Sequence, residues 1–250
     1  IIGEYSKGEE GPTVIFMAGV HGNERASIIA LNSVFSQLNQ LSPHFKGKLV
    51  GIAGNLAALS KSIRYVEEDL NRIWSVPRIQ NLLAPIQPFQ NGETVEKFEQ
   101  KDLVRTLQSY CQNKDAPVYV IDLHTTSATS PPFVIILDTL RNRHFALKFP
   151  LPIVLGMEEH LDGTLINYLD QFGFITMAIE AGQHEQQSSI QNHIAAIWLA
   201  LIHAGCIALE EIPQFTYYQT KLRSETEHLP RVFEVVYRYP ITNGERFRME

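Results

Sequence analysis

The chain has 250 residues, 44% of them hydrophobic and 19% charged, enough for one large α/β domain, or one domain with a small appendage, around a sizeable core. A formal net charge of -6, with no run of five or more like charges, argues against nucleic acid as the main partner, because phosphate backbones need a basic footprint. No apolar stretch reaches about 18 residues and no basic-then-apolar leader opens the chain, so no membrane span or signal peptide is read; two distant cysteines, Cys111 and Cys206, fit a reducing cytoplasm.

In chain order, residues 3–12 read as a polar turn leading into a buried strand, 13–17, that stops at Ala18-Gly19. The loop His21-Gly22-Asn23-Glu24 follows, and then Ile28, Ile29, Leu31, Val34, Phe35 and Leu38 recur at helical spacing. Residues 48–53 read as a second strand ending at Gly54-Asn55. Residues 57–74, crowded with Arg64, Glu67, Glu68, Asp69 and Arg72, and the proline-bearing 76–92 read as a long excursion over the site. Thr94 is a fair N-cap for a helix with Val95, Phe98, Leu103, Leu107 and Tyr110 on one side. The strongest strand signal is 118–121, running on through Asp122-Leu123-His124 into Thr125-Thr126-Ser127. Strands are also read at 133–137, 153–155 and 175–179, the last ending at Glu180-Ala181-Gly182. A helix over 188–203 is closed by Gly205. Past Pro213, alternation of Phe233, Val235, Tyr237 and Tyr239, and then Asn243-Gly244, predict a β extension whose hairpin is cut short. The domains expected are therefore 1–212 and 213–250, the second truncated. Opening on Ile1 rather than methionine suggests that the natural start is omitted, and the six residues left after Gly244 suggest that the chain is the front part of a longer protein.

A histidine and a carboxylate three apart offer one cation an imidazole nitrogen and a carboxylate oxygen, donors that suit zinc. Two ligands hold no metal alone, and a Glu24 that merely starts the next helix beside its dipole explains the pair as well. His124, at the end of a second strand, is the expected third ligand. His21, Glu24 and His124 make a two-histidine, one-carboxylate set that leaves a position open for water, a catalytic rather than structural arrangement. Asp122, two residues before His124, either orients that ring or is a core-edge carboxylate bonded to backbone. By its own neighbourhood Glu180 reads equally as a solvated or capping group, and Arg64, Arg72 and Glu68 as a turn of solvated ion pairs. The remaining histidines lack a second ligand at metal spacing; His184, close behind Glu180, is the least certain of them.

The segments HGNE, RYVEEDLNR (64–72), DLHTT and IEAGQ, in that order over residues 15–206, resemble the succinylglutamate desuccinylase/aspartoacylase family, zinc amidohydrolases related to the zinc carboxypeptidases. The resemblance implies a zinc carboxypeptidase-like mixed sheet flanked by helices, followed by the start of a small C-terminal β domain. It implies one Zn2+ per chain on His21, Glu24 and His124, with Glu180 as general base and proton carrier and Arg64 stabilising the oxyanion. Asn71 and Arg72 would hold a substrate carboxylate, with Asn55 touching either that substrate or the neighbouring loop, and Asp69 orienting an arginine. The implied reaction is hydrolysis of the amide of a small N-acyl amino acid, a linear amide rather than a peptide bond. The alternatives are a metallocarboxypeptidase acting on short peptides and a non-catalytic zinc- or carboxylate-binding module. One departure stands out: where aspartoacylases carry an arginine about ten residues before the catalytic glutamate, this chain has Asp170, which predicts a substrate with a single carboxylate or with a different side chain.

Overall fold

Val14, Phe16 and Ala18 pack into one core, while Ile15 and Met17 pack into another on the opposite face of the same strand. Alternation with both faces covered is the pattern of a central strand in an α/β sheet, and explains why these residues read as one unbroken apolar run. Fully burying each of the valine, isoleucine, phenylalanine and methionine side chains among them contributes about 1.5–3 kcal/mol. The computed structural model describes residues 1–84, 94–111, 116–157 and 160–239.

The strands are β1 (Gly3–Tyr5), β2 (Glu9–Ala18), β3 (Lys46–Ala53), β4 (Val118–Thr126), β5 (Phe133–Ile135), β6 (Ile153–Leu155), β7 (Ile175–Gln183) and β8 (Val232–Glu234). The helices are α1 (Ala26–Leu41), α2 (Leu56–Lys61), α3 (Val76–Leu83), α4 (Val95–Tyr110), α5 (Leu140–Ala146), α6 (Leu165–Asp170), α7 (Gln187–Ala204) and α8 (Phe215–Ser224). Among the described residues the strands form one mixed sheet in the order β1-β3-β2-β4-β7-β5-β6-β8. β3, β2, β4 and β7 run parallel, β1 is antiparallel to β3, and β5 is antiparallel to β7 while β5, β6 and β8 run parallel to one another. Helices α1, α5, α7 and α8 cover one face and α3, α4 and α6 the other, the α/β sandwich expected. Among the described residues no helix is long and apolar enough to cross a membrane.

Several expectations need correction. Residues 3–12 are no simple turn: β1 lines the sheet edge, where polar, exposed residues are tolerated, and β2 already starts at Glu9. Residues 76–83, discounted for their proline, form α3, because Pro77 lies in the first turn, where no N–H is required of it. On α4 the buried face near its start carries Glu96 and Gln100, with Phe98 at the exposed margin, because this end faces a polar loop rather than the core. Ile29, read as core, is half exposed. The chain past Pro213 opens with a helix, α8, whose Tyr218 and Leu222 join the core, and β8 then extends the main sheet beside β6. Asn243-Gly244 and residues 85–92 lie outside the described residues. Gly205, with φ of 86°, closes α7 as read.

Candidate active site

Chain connections reverse direction across β2, since β3 pairs on one side of it and β4 on the other. Such a switch point opens a crevice beyond the carboxyl ends of the strands. His21 and Glu24 lie in the loop that leaves β2, His124 near the end of β4 and Glu180 near the end of β7, directly paired with His124 in the sheet register. The β2–α1 loop is held rigidly: Gly19 N donates to Ser27 Oγ (3.2 Å), Ser27 Oγ to Glu24 O (3.0 Å), and Gly22 N to Arg64 O (3.1 Å).

His21, Glu24 and His124 are buried, and one donor atom from each lies within 4.8 Å of the others. Both rings turn Nδ1 inward, 2.8 Å from Glu24 Oε1 for His21 and 2.9 Å from Glu24 Oε2 for His124. Glu24 Oε2 also accepts from Thr125 N (3.0 Å), so this carboxylate is aimed across the site and not at the start of α1. Each ring's outer nitrogen meets a further carboxylate: Asp69 Oδ1 lies 3.0 Å from His21 Nε2, and Asp122 Oδ2 2.8 Å from His124 Nε2. Partners of this kind fix ring orientation and tautomer and raise the basicity of the inward nitrogen. Two imidazoles and a carboxylate, all buried, converging and backed by carboxylates, fit a zinc-type cation.

The charges respond accordingly. Burial would raise the Glu24 carboxyl, but the charges of His124 and His21 and their hydrogen bonds outweigh it and hold it well below the usual carboxylate range. Asp69 is held low in the same way, against burial, by His21 and Arg64. His124 rises well above the ordinary histidine value: burial opposes this, and the Asp122 and Glu24 carboxylates overcome it. Glu180 moves the other way. Burial pushes it up to about 7, Glu24 and Asp122 add repulsion, and His124 and His21 only partly offset them. Its Oε2 is buried without a hydrogen-bond partner, the condition of a group shaped to meet something other than its own chain.

These side chains line a cavity of about 260 Å³ together with Arg64, Asn71, Arg72 and His184. Arg64 donates from Nε and Nη2 to Asp69 Oδ2 at 3.0 and 2.9 Å, so Asp69 links an arginine to His21. Asn71 is buried between His124 Nε2 (3.2 Å from its Nδ2) and Leu165 N, which donates to its Oδ1 (2.9 Å). Arg72 Nη1 donates to Asn71 O at 2.7 Å. His184, held 2.8 Å from Thr125 Oγ1 and kept below the ordinary histidine value by burial, belongs to the wall. Its position just after the Glu180 motif was the signal for it. The apolar lining of Ile135, Met157, Leu161 and Ile166 carried no sequence signal, because it is assembled from loops and strands far apart.

Two positions face away from the cavity. Of the two contacts expected of Asn55, the structure shows the loop and not the substrate side: it is fully buried, its Oδ1 caps α2 at Ala58 N and its Nδ2 donates to Glu96, so both ends of the amide are spent there. Asp170 does not confront a substrate either. It sits at the end of α6 and is bound by Arg141 (2.6 Å) and Asn142 (2.9 Å), whereas Ile166 and Asn167 of the same helix face the cavity.

A model of the succinylglutamate desuccinylase/aspartoacylase catalytic domain matches residues 10–204. Succinylglutamate desuccinylase of Photorhabdus laumondii is 31% identical over 184 residues, 70% of this chain and 54% of that protein. A probable aspartoacylase of Prochlorococcus marinus is 26% identical over 153 residues, 58% of this chain and 46% of that one. Among solved structures, succinylglutamate desuccinylase from Chromobacterium violaceum superposes with a TM-score of 0.64 at 18% identity, covering 80% of this chain and 64% of that one. The chain thus spans less than two thirds of each of these relatives, about half of the two matched by sequence. With the match running from β2 to the last residue of α7, the chain belongs to the succinylglutamate desuccinylase/aspartoacylase family.

Proposed function

We propose that this chain is a zinc-dependent hydrolase that cleaves the amide of a small N-acyl amino acid. The observation that carries the reading is the convergence of His21, Glu24 and His124 beside an unpartnered, raised Glu180. One zinc ion per chain, held by those three side chains, would polarise the scissile carbonyl and lower the pKa of a water towards about 7. Glu180 takes the proton from the attacking water and delivers it to the leaving nitrogen as the C–O bond forms and the C–N bond breaks, a role worth roughly 10²–10⁴-fold.

Arg64 stabilises charge developing on the carbonyl oxygen, held in place by Asp69. Arg72 and Asn71 receive the substrate carboxylate, for which a forked guanidinium is the better cation. Among the described residues that line the cavity, Arg64 and Arg72 are the only lysines or arginines, while Ile135, Met157, Leu161 and Ile166 form an apolar wall. This composition favours a substrate with one carboxylate and an uncharged remainder, a preference now supported by the lining itself rather than by Asp170. Residues 1–212 are read as the catalytic unit and 213–250 as its C-terminal extension, of which α8 and β8 pack on the same core and sheet.

Zinc analysis followed by hydrolysis assays on a panel of N-acyl amino acids tests the proposal. Stoichiometric zinc with turnover of at least one linear amide is expected; full zinc occupancy with no amide cleaved would leave a binding module instead.

A further inference from the structure

The segment 64–72 has two faces. Arg64, Asp69, Asn71 and Arg72 serve the cavity or its ligands, while Val66, Glu67 and Glu68 between them turn their backbone amides towards α4. There they meet Glu96. Its carboxylate is fully buried and accepts four hydrogen bonds: Oε1 from Asn55 Nδ2 (3.0 Å) and Val66 N (2.6 Å), and Oε2 from Glu67 N (3.1 Å) and Glu68 N (3.2 Å). Three successive N–H groups aimed at one anion form a concave nest, here filled by the protein's own side chain. The attachment is returned from the other side. Val95 N, at the start of α4, donates to Glu67 Oε2 (2.6 Å), and Thr94 Oγ1 and Arg78 Nη2 donate to Glu68 Oε2 (2.8 and 2.6 Å).

Between the end of α2 at Lys61 and the short 3-10 turn Leu70–Arg72 no helix or sheet ladder defines the backbone. The bonds to Glu96 therefore replace secondary structure over 66–68, two residues after Arg64 and immediately before Asp69. Asn55 extends the same junction to α2, whose residue Ala58 lies against Gly22 of the metal-binding loop.

We propose that Glu96 is a positioning residue: its buried carboxylate fixes the 66–68 backbone and so aims Arg64, Asn71 and Arg72 at the substrate. This rests on the roles proposed above, Arg64 at the carbonyl oxygen and Asn71 and Arg72 at the substrate carboxylate. A neutral glutamine has nearly the same shape but places an N–H donor against amides that need an acceptor, so Glu96→Gln removes the nest's anion without removing bulk.

The test compares the full-length protein with Glu96→Gln in three readouts: zinc content, backbone amide exchange, and kcat/KM for an N-acyl amino acid against its methyl ester. Expected are unchanged zinc content and unchanged exchange in α7, with exchange at 66–68 faster by about tenfold or more. The preference for the free acid over the ester should fall by about tenfold, because the carboxylate anchor is what drifts. Unchanged exchange at 66–68, or an equal slowing of acid and ester, would overturn the proposal. If the wild-type protein hydrolyses neither compound, the hydrolase reading has failed instead, and the exchange result alone decides on Glu96. If Glu96→Gln does not fold, wild-type exchange decides: protection at 66–68 comparable to the first turns of α4 is expected, and free-loop rates would refute the role.

Discussion

Glu180 on β7 stands opposite His124 on β4, paired in the register of two parallel strands, so the proposed general base and one of the proposed metal ligands are held one strand spacing apart by the sheet itself. Strand neighbours are about 4.8 Å apart, and the ladder that enforces this is among the stiffest elements of the fold. The base's position thus does not depend on a loop. Glu180→Gln should keep zinc at wild-type stoichiometry and lower kcat by at least about a hundredfold. Unchanged turnover, measured by product formation at saturating substrate, would remove Glu180 from the mechanism.

The same carboxyl predicts a pH signature in protein stripped of metal by a chelator. Glu180 is protonated in the folded chain up to about 7 but ionises near 4.5 when unfolded, so unfolding releases a proton between those values. Its contribution to stability is complete below about pH 4.5 and is lost as the pH rises to 7. Stripped Glu180→Gln should therefore melt like the stripped wild type at pH 4.5 and above it at pH 8, by a gap on the order of a few kcal/mol. A gap that shrinks with rising pH would contradict the burial argument.

The outer carboxylates should matter to the metal although neither is a ligand. Asp69→Asn and Asp122→Asn each leave the three donors in place but weaken the partner of His21 Nε2 or His124 Nε2. Zinc affinity, read by competition with a chromophoric chelator, should drop by about 10–100-fold for each. Asn55→Ala, which touches neither ring, should leave that affinity within a few-fold.

Arg72→Lys keeps the charge and loses the fork. For an N-acyl amino acid the KM should rise by at least about tenfold while kcat changes far less, because uniform carboxylate binding is what disappears. The wild type should also prefer substrates with one carboxylate over N-acyl aspartates and glutamates. Equal kcat/KM for both classes would show that the cavity tolerates a second anion its described lining does not match.

Gly22 answers to space rather than to φ. A Cβ there would fall 2.1 Å from Ala58 C and 2.3 Å from Ala58 O, backbone atoms of α2 that cannot swing aside. Gly22→Ala should destabilise the protein by about 1–3 kcal/mol in denaturant unfolding and weaken zinc binding as His21 and Glu24 shift. Wild-type stability in this variant would mean that α2 moves more freely than its packing implies.

Much of this protein was legible in one dimension. The apolar runs of β2, β4 and β7 declared themselves because central strands bury both faces, and each ended in a polar motif because parallel strands finish at one edge. Residue type then did the rest: His21, Glu24 and His124 supply two imidazoles and a carboxylate, donors that suit one cation, and strand order alone was enough to bring them together. Asp69 beside Arg64 and Asp122 beside His124 were also within reach, since both pairs are local in the chain.

What local pattern could not decide was the direction of side chains whose partners come from distant segments. Asn55 has the residue type of a substrate ligand, yet a glutamate 41 positions later claims its amide. Asp170 falls at a suggestive position, but α6 turns it towards Arg141 and presents Asn167 to the cavity instead. Glu96 looks in sequence like a solvated residue in a helix's first turn, and only the approach of 66–68 makes it a buried anion. Sequence alone determined the chemistry on offer and the strand ends that carry it, because those follow from residue type and local periodicity. Which polar groups face the cavity and which are consumed in holding it open was settled by tertiary packing, since a buried hydrogen bond belongs to whichever partner the fold brings near.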